Sequence, residues 1–205
     1  MTKKFNSVLI IGMGLIGSSI SRALIENHVA NNVYGLDSDS KVIKKCQNLN
    51  ILIQGETELK NFDFQFDLVI ICTPLSTYKQ IFQSLSEFVS QPTLVTDVGS
   101  TKMSTINDFK NIKENRNMTF IPSHPIAGLE KSGPEHGFSK LFDNRYCILT
   151  PYEKNDDSIN KISEMWKSIG MKIEIMDADR HDRVLAMTSH IPQLIAFSVV
   201  GTATE

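Results

Sequence analysis

The stretch that decides the fold runs from residue 7 to residue 17 and reads Ser7-Val8-Leu9-Ile10-Ile11-Gly12-Met13-Gly14-Leu15-Ile16-Gly17. An apolar run typical of a buried strand leads into a Gly-x-Gly-x-x-Gly turn, and a helical pattern over residues 15–26 follows. Gly12 is expected to make the tight turn, Gly14 to let the backbone approach a pyrophosphate, and Gly17 to allow close packing of helix on strand. The stretch therefore predicts a strand, a phosphate-binding turn and a helix.

The rest of the chain repeats this alternation of apolar runs and helical patterns. Continuous apolar runs are typical of parallel strands that are covered on both faces. Strands are predicted over residues 7–11, 32–36, 67–72, 93–96, 118–121, 146–149 and 171–176, and helices over 15–26, 42–47, 78–89 and 156–169. Either Ser38 or Ser40 is suited to cap the second helix. The order predicts an α/β fold with a doubly wound, mainly parallel sheet of the Rossmann type.

Asp37 ends the second predicted strand, 20 residues after Gly17. A carboxylate at that position accepts hydrogen bonds from ribose hydroxyls and repels a 2′-phosphate, and no arginine stands beside it, so NAD is favoured over NADP. The backbone N–H groups of Leu15 and Ile16 begin the helix that would bind the phosphates. The alternative is a glycine turn in an α/β protein that binds another ligand.

Two more strand ends carry polar or small residues. Thr73 and Pro74 follow one apolar run, and Gly99 and Ser100 follow the next. Because ligands bind at the carboxyl ends of strands in open parallel sheets, these residues are candidates for the cofactor site. Ser100 is also suited to cap a helix that begins near Thr101, and the two roles are compatible.

The densest polar segment, residues 123–134, reads SHPIAGLEKSGP and is predicted to be a loop after a strand. His124 in such a loop can take a proton from a substrate hydroxyl near neutral pH. A second cluster, His181-Asp182-Arg183 together with His190, lies in a predicted helix over residues 179–204 that is apolar on more than one face. His190 has apolar neighbours, so it is either a hydrogen-bonded core residue or part of a site.

Composition excludes several classes of function. The net charge of -2 gives no basic patch for nucleic acid. The three cysteines, Cys46, Cys72 and Cys147, lack Cys-x-x-Cys spacing, which argues against a disulfide framework and against a metal site. No apolar run is long enough for a membrane span, and no secretory signal is present, so a cytoplasmic protein is expected.

Taken together, the motifs GMGLIGSS, CTP, TDVGSTK, SHPIAGLEKSGPEHG and HDRVLAMTSHIP resemble the nucleotide-binding domain of the prephenate/arogenate dehydrogenase (TyrA-type) family over essentially all 205 residues. The resemblance implies NAD-dependent oxidative decarboxylation of prephenate or arogenate in tyrosine biosynthesis. It also implies roles for four residues. His124 would deprotonate the ring hydroxyl, Ser100 would orient His124, Glu130 would lie in a gating loop, and His190 would contact the substrate.

The resemblance also implies a domain arrangement. Residues 1–178 correspond to the NAD-binding domain, and residues 179–205 to the start of an all-helical domain that forms a homodimer in the family and supplies an arginine for a substrate carboxylate. Neither Arg145 nor Arg183 matches that arginine, so we expect a truncated chain that binds NAD without efficient turnover. Gln193 stands where many relatives have a histidine, which leaves its role open.

Two alternatives stay open at the level of sequence. One is a different Rossmann dehydrogenase, of the hydroxyacid or imine-reductase type, although such enzymes lack the SHPIAGLEKSG segment. The other is a non-catalytic NAD-binding fragment that associates with a partner through the apolar residues 184–200.

Overall fold

The computed structural model of the chain describes residues 5–112, 117–192 and 195. Its main feature is a six-stranded sheet in the order β3-β2-β1-β4-β5-β6, in which every neighbouring pair is parallel. The strands are β1 (Phe5–Ile11), β2 (Ala30–Leu36), β3 (Gln54–Glu56), β4 (Leu68–Ile71), β5 (Thr93–Asp97) and β6 (Met118–Ile121). The predicted doubly wound Rossmann-type sheet is confirmed.

Helices connect the strands and cover both faces of the sheet. They are α1 (Leu15–Glu26), α2 (Ser40–Asn48), α3 (Tyr78–Phe88), α4 (Met103–Lys110), α5 (Asp156–Ser168) and α6 (Ala178–Leu185). Val8 and Ile10 of β1 belong to one apolar core, whereas Leu9 and Ile11 belong to a second core. This alternation explains why the strand is continuously apolar, since each successive side chain enters the core on the opposite face.

A second, three-stranded sheet follows the first along the chain. It consists of β7 (Ser123–Pro125), β8 (Tyr146–Leu149) and β9 (Lys172–Ile175), with β7 antiparallel and β9 parallel to β8. The prediction of a loop over residues 123–134 is therefore wrong for the first three residues. Pro125 is accommodated because β7 is an edge strand, where a missing N–H costs no hydrogen bond between strands.

Two predicted helix caps are also wrong. Helix α2 is capped by Asp39, whose Oδ1 accepts from the Lys41 N–H at 2.8 Å, rather than by Ser38 or Ser40. Helix α4 begins at Met103 with Lys102 as its N-cap residue, so Ser100 lies before the cap position. The acceptor for the first amides of α4 is instead Asp182, a residue 80 positions further along the chain.

The end of the chain is described only in part. Helix α6 continues into a π-helical turn, Ala186–His190, and residues 193–194 and 196–205 lie outside the described part. The predicted long apolar helix over 179–204 is therefore followed only over its first half. Among the described residues, no helix combines the length and apolar character needed to cross a membrane.

Candidate active site

The glycine turn between β1 and α1 closes against the end of β4. Gly12 has φ +94°, and a β-carbon there would lie 2.8 Å from the carbonyl of Cys72 and from the Thr73 side chain. A β-carbon at Gly17 would overlap the carbonyl oxygen of Gly12. Only glycine fits either position, because the left-handed φ disfavours a side chain at Gly12 and the backbone leaves no room at Gly17.

Gly14 differs from its two neighbours in the motif, because open space surrounds the position of its missing side chain. It is the N-cap residue of α1, and it has no side chain with which to cap the helix. The amides at the start of α1 therefore face a space that a phosphate group can enter. This is the arrangement that the motif predicts for a pyrophosphate site.

Asp37 follows β2 and is fixed beside the glycine turn by two backbone amides. Its Oδ2 accepts from Met13 N–H at 2.8 Å, and its Oδ1 accepts from Asp39 N–H at 3.0 Å. Each carboxylate oxygen has two lone pairs, so the side chain retains capacity for further donors such as ribose hydroxyls.

A cleft of about 990 Å³ joins these features, and we call it the glycine cleft. Its volume lies within the range of small-molecule sites. Its lining includes Gly12, Gly14, Asp37, Thr73 and Pro74, together with an apolar wall of Leu59, Ile81, Leu85 and Phe88. The predicted cofactor residues on three different strand ends therefore share one cleft. Leu15 and Ile16 begin α1 beside it.

Behind the turn that follows β5 lies a fully buried ion pair. Lys102 Nζ lies 2.6 Å from Asp97 Oδ2 and donates to the Ser123 carbonyl at 2.7 Å. Asp97 Oδ1 accepts from Ser123 N–H at 2.9 Å, and Oδ2 accepts from Gly99 N–H at 3.0 Å. Burial lowers the pKa of Lys102, and the charge of Asp97 opposes that shift. The network fastens the segment TDVGSTK to the strand that carries His124.

His124 lies half-buried on β7, where it contacts a second histidine that comes from α6. His124 Nδ1 is 2.9 Å from His181 Nε2, and His181 Nδ1 is 2.8 Å from Asp182 Oδ1. His181 is fully buried. We refer to His124, His181 and Asp182 as the histidine relay.

Burial lowers the pKa of His181, against the opposing effect of its hydrogen bond to Asp182. Desolvation acts to raise the pKa of Asp182, but donors outweigh it and hold that pKa below its usual value. These donors are the Met103 N–H, His181 and the Lys102 N–H. Near neutral pH the pair therefore consists of an uncharged imidazole and a carboxylate.

The sequence indicates a catalytic role for His124 but none for His181 or Asp182. The only signal was the polar triplet His181-Asp182-Arg183, and nothing in it indicates a partner 57 residues away. Ser100 and Glu130 are exposed in the turns after β5 and β7. The side chain of His190 and all of Gln193 lie outside the described residues.

The cysteines and the acidic residues do not form a metal centre in the described ranges, where no group of three or more potential ligands is found. Cys46 and Cys147 are buried free thiols, and Cys72 is a partly buried free thiol. Burial raises the pKa of all three, which keeps them protonated near neutral pH. They serve as small apolar side chains.

Comparison with known proteins decides the family. The chain matches the family described as prephenate dehydrogenase, nucleotide-binding domain, over residues 20–175. The chain belongs to this family. The cyclohexadienyl dehydrogenase of Zymomonas mobilis is 34% identical over 199 residues, which are 96% of this chain and 67% of that protein. The prephenate dehydrogenase of Lactococcus lactis is 30% identical over 97% of this chain and 54% of that protein.

Solved structures of the prephenate dehydrogenase family give the same result. The prephenate dehydrogenase of Aquifex aeolicus, in complex with hydroxyphenyl propionate and NAD+, has a TM-score of 0.91 and 33% identity. The match covers 98% of this chain and 70% of that one. A 3-hydroxyisobutyrate dehydrogenase and a pyrroline-5-carboxylate reductase share the fold at TM-scores of 0.66 and 0.68, but at only 13% identity. In length, the chain spans about two thirds of the Zymomonas mobilis relative and about half of the Lactococcus lactis and Bacillus subtilis relatives.

Proposed function

We propose that the chain is the nucleotide-binding part of an NAD-dependent dehydrogenase that oxidatively decarboxylates prephenate or arogenate in tyrosine biosynthesis. The proposal depends on one observation above the others. His124 is half-buried and comes just after the carboxyl end of β6, and the glycine cleft lies at the carboxyl ends of the strands in the same sheet. The chain that bears both features belongs to the prephenate dehydrogenase family. The relative from Aquifex aeolicus, described with NAD+ and hydroxyphenyl propionate, supports both the cofactor and the class of substrate.

The residues of the glycine cleft fit an NAD molecule. The open space at Gly14 would receive the pyrophosphate against the first amides of α1, and the Asp37 carboxylate would accept hydrogen bonds from the adenosine ribose. The apolar wall would cover the adenine. NAD supplies the hydride acceptor of the reaction when it is bound.

His124 would act on the substrate side of the reaction. It would accept the proton of the ring hydroxyl while hydride leaves the carbon that bears this hydroxyl. Loss of carbon dioxide then breaks the bond to the ring carboxylate, and its electron pair makes the ring aromatic. Because aromatisation drives the reaction, one positioned base suffices. We propose that Ser100 orients this base, that Glu130 gates the site, and that His190 contacts the substrate.

We also propose that the domain boundary falls after residue 178 and that the part beyond it mediates a homodimer. Met187, Ile191 and Ile195 are exposed apolar side chains at intervals of four residues, which is the spacing of one helical face. Analytical sedimentation of the parent protein and, separately, of a variant that carries Met187→Glu and Ile191→Glu would test this by measuring the oligomeric state of each. Loss of the dimer in the variant supports the proposal, and a monomeric parent protein contradicts it.

The cofactor assignment is tested by titration calorimetry of the 205-residue chain with NAD and with NADP. We expect NAD to bind more tightly, and Asp37→Asn to weaken NAD binding and to reduce the discrimination against NADP. Asp63→Asn, the same change at an exposed aspartate outside the cleft, is the control that should bind like the parent. Preferential binding of NADP by the parent chain would contradict the assignment.

The reaction is tested by a steady-state assay of NADH formation with prephenate and with arogenate. His124→Asn should lower turnover by about 10²- to 10⁴-fold, the range that general acid–base catalysis supplies, and should leave the affinity for NAD unchanged. The assay is made on the 205-residue chain and on the chain fused to the C-terminal third of the Zymomonas mobilis relative. If both forms bind NAD and neither form turns over substrate, a non-catalytic NAD-binding protein would be favoured.

A further inference from the structure

The hydrogen bonds of the histidine relay assign the two protons that its members share. Asp182 Oδ1 accepts from Lys102 N–H at 2.8 Å, and Oδ2 accepts from Met103 N–H at 2.9 Å. Backbone amides only donate, so both oxygens of Asp182 are acceptors. The same Oδ1 atom faces His181 Nδ1 at 2.8 Å, and the proton between them must therefore belong to His181.

The protonation state of the second ring nitrogen of His181, Nε2, follows from that of the first, Nδ1. An uncharged imidazole that donates from Nδ1 has an unprotonated Nε2, which can only accept. His181 Nε2 lies 2.9 Å from His124 Nδ1, so the proton in this contact belongs to His124. An uncharged His124 with its proton on Nδ1 has an unprotonated Nε2, the ring atom on the side away from His181.

We propose that Asp182 and His181 are positioning residues that hold His124 in its Nδ1–H tautomer and so make Nε2 the atom that accepts the substrate proton. This inference rests on the proposed function, since it assumes that His124 is the base. The transfer breaks the substrate O–H bond and forms an N–H bond at His124 Nε2. No proton passes from His124 to His181, and Asp182 stays a carboxylate throughout, in the manner of other carboxylate–histidine pairs.

The surroundings of His181 are consistent with an uncharged ring. The charged groups that face it are Asp182 on its own helix, Asp97 at the end of β5 and Lys102 just before α4, and His124 faces it from β7. The charge of Lys102 disfavours an imidazolium, whereas those of Asp97 and Asp182 favour one. Burial away from water decides the balance toward the uncharged form.

The relay also restricts the orientation of the His124 ring. Asp182 cannot rotate without losing its hydrogen bonds to the Lys102 and Met103 amides at the start of α4. His181 is fully buried, and both of its ring nitrogens are engaged, by Asp182 and by His124. His124 thus receives its hydrogen bond from a fixed direction, which is what a base needs in order to meet a hydroxyl at a defined angle.

The direct test is nitrogen-15 NMR of the histidine rings in the 205-residue chain at pH 7.5, with no substrate present. We expect His124 and His181 both to show the spectrum of the Nδ1–H tautomer. A spectrum of the Nε2–H tautomer or of an imidazolium at either residue would overturn the proposal. Because this test needs no turnover, it distinguishes failure of the relay from failure of the proposed function.

Variants of His181 separate hydrogen bonding from packing. His181→Leu keeps an apolar side chain but removes the acceptor, so His124 should shift toward the Nε2–H tautomer. His181→Gln offers an amide oxygen near the position of Nε2 and should preserve the Nδ1–H tautomer of His124. An unchanged His124 spectrum in His181→Leu would contradict the proposal, even if both variants are less stable.

A matched pair of aspartate variants tests the role in the reaction. In whichever form of the chain turns over, Asp182→Asn should lower turnover by about 10²-fold or more, within the range of general acid–base catalysis, while NAD affinity stays the same. It should also lower the pH at which activity reaches its plateau, because loss of the carboxylate charge makes protonation of His124 less favourable. Asp179→Asn makes the same change on the exposed side of α6, where Asp179 pairs with Arg183 at 2.6 Å, and should leave all three quantities unchanged. Equal turnover in the two variants would overturn the proposal.

Discussion

The glycine cleft and the histidine relay are built at the same edge of the sheet, but from different kinds of sequence. The cleft is built around a short contiguous motif, in which Gly12 and Gly17 leave no room for a side chain and Gly14 opens onto empty space. The relay brings together β7 and α6, which are 57 residues apart, and fixes them to the start of α4. The glycine turn of the cleft is thus encoded by local backbone geometry, whereas the relay exists only once the whole fold has formed.

The buried pair of Lys102 and Asp97 is the charged support of the relay, since Lys102 contacts both Asp182 and the carbonyl of Ser123 on the strand that carries His124. Lys102→Met would leave the Asp97 carboxylate buried without its counter-charge, and we expect a loss of about 3–5 kcal/mol in the free energy of unfolding. Urea unfolding of the variant and of the parent chain measures it.

The double variant Lys102→Met with Asp97→Asn should recover part of this loss, because it removes the uncompensated charge. A Lys102→Met variant as stable as the parent chain would show that the pair does not stabilise the fold.

Two glycine variants sharpen the description of the cleft. Gly17→Ala should destabilise the fold by about 1–3 kcal/mol, since its β-carbon would overlap the Gly12 carbonyl and force the turn to move. Gly14→Ala should change stability by less than about 1 kcal/mol, because nothing lies within 4 Å of the added carbon. It should nevertheless weaken NAD binding by about tenfold or more.

Thermal unfolding and calorimetry of these two variants separate the effects. Equal loss of stability in both, or full NAD affinity in Gly14→Ala, would contradict the assignment of Gly14 to the phosphate site.

The smallest expected effect is a dependence of stability on pH that comes from the relay. The pKa of His181 is lower in the folded chain than in the unfolded chain, so its contribution is fully present above the unfolded pKa of about 6.5. That contribution is lost as the pH falls from about 6.5 through the folded pKa. Asp182, whose pKa is also lowered, adds a second loss at more acidic pH.

Urea unfolding at pH 7.5 and at pH 5.5 tests this dependence, with His181→Leu as the comparison. The variant should lose less stability between the two pH values than the parent chain does. An equally steep dependence in both would show that His181 is not the group responsible.

The elements whose ends the sequence predicted correctly are those whose ends are set by neighbouring residues in the chain. Helix α1 and strands β6 and β8 begin and end where the apolar pattern predicts, because each has an apolar run bounded by turn residues. Strand β3 was not predicted, since three residues with a central glycine are too few to show the alternation of apolar and polar side chains that indicates a strand. The cap of α2 was misassigned because Ser38, Asp39 and Ser40 are three consecutive residues of capping type, and only the geometry selects Asp39.

The site divides in the same way. Asp37, Thr73 and Pro74 were predicted because the carboxyl ends of parallel strands must meet at one edge. His181 and Asp182 were not assigned, because their partners are fixed by the position of α6 against β7 and α4. The sequence contains no local pattern for that position. Such contacts between distant segments require a structure.

The capping of α4 by Asp182 has a consequence for how tightly α6 is attached. The amides of Lys102 and Met103 are hydrogen-bonded to Asp182, and each must lose that bond before its proton exchanges with water. Their rate of hydrogen exchange therefore reports how often the contact between Asp182 of α6 and the start of α4 opens, and it is measured at two backbone positions far from α6 in sequence. A ligand or a further domain that presses α6 inward would slow both amides together, without touching either.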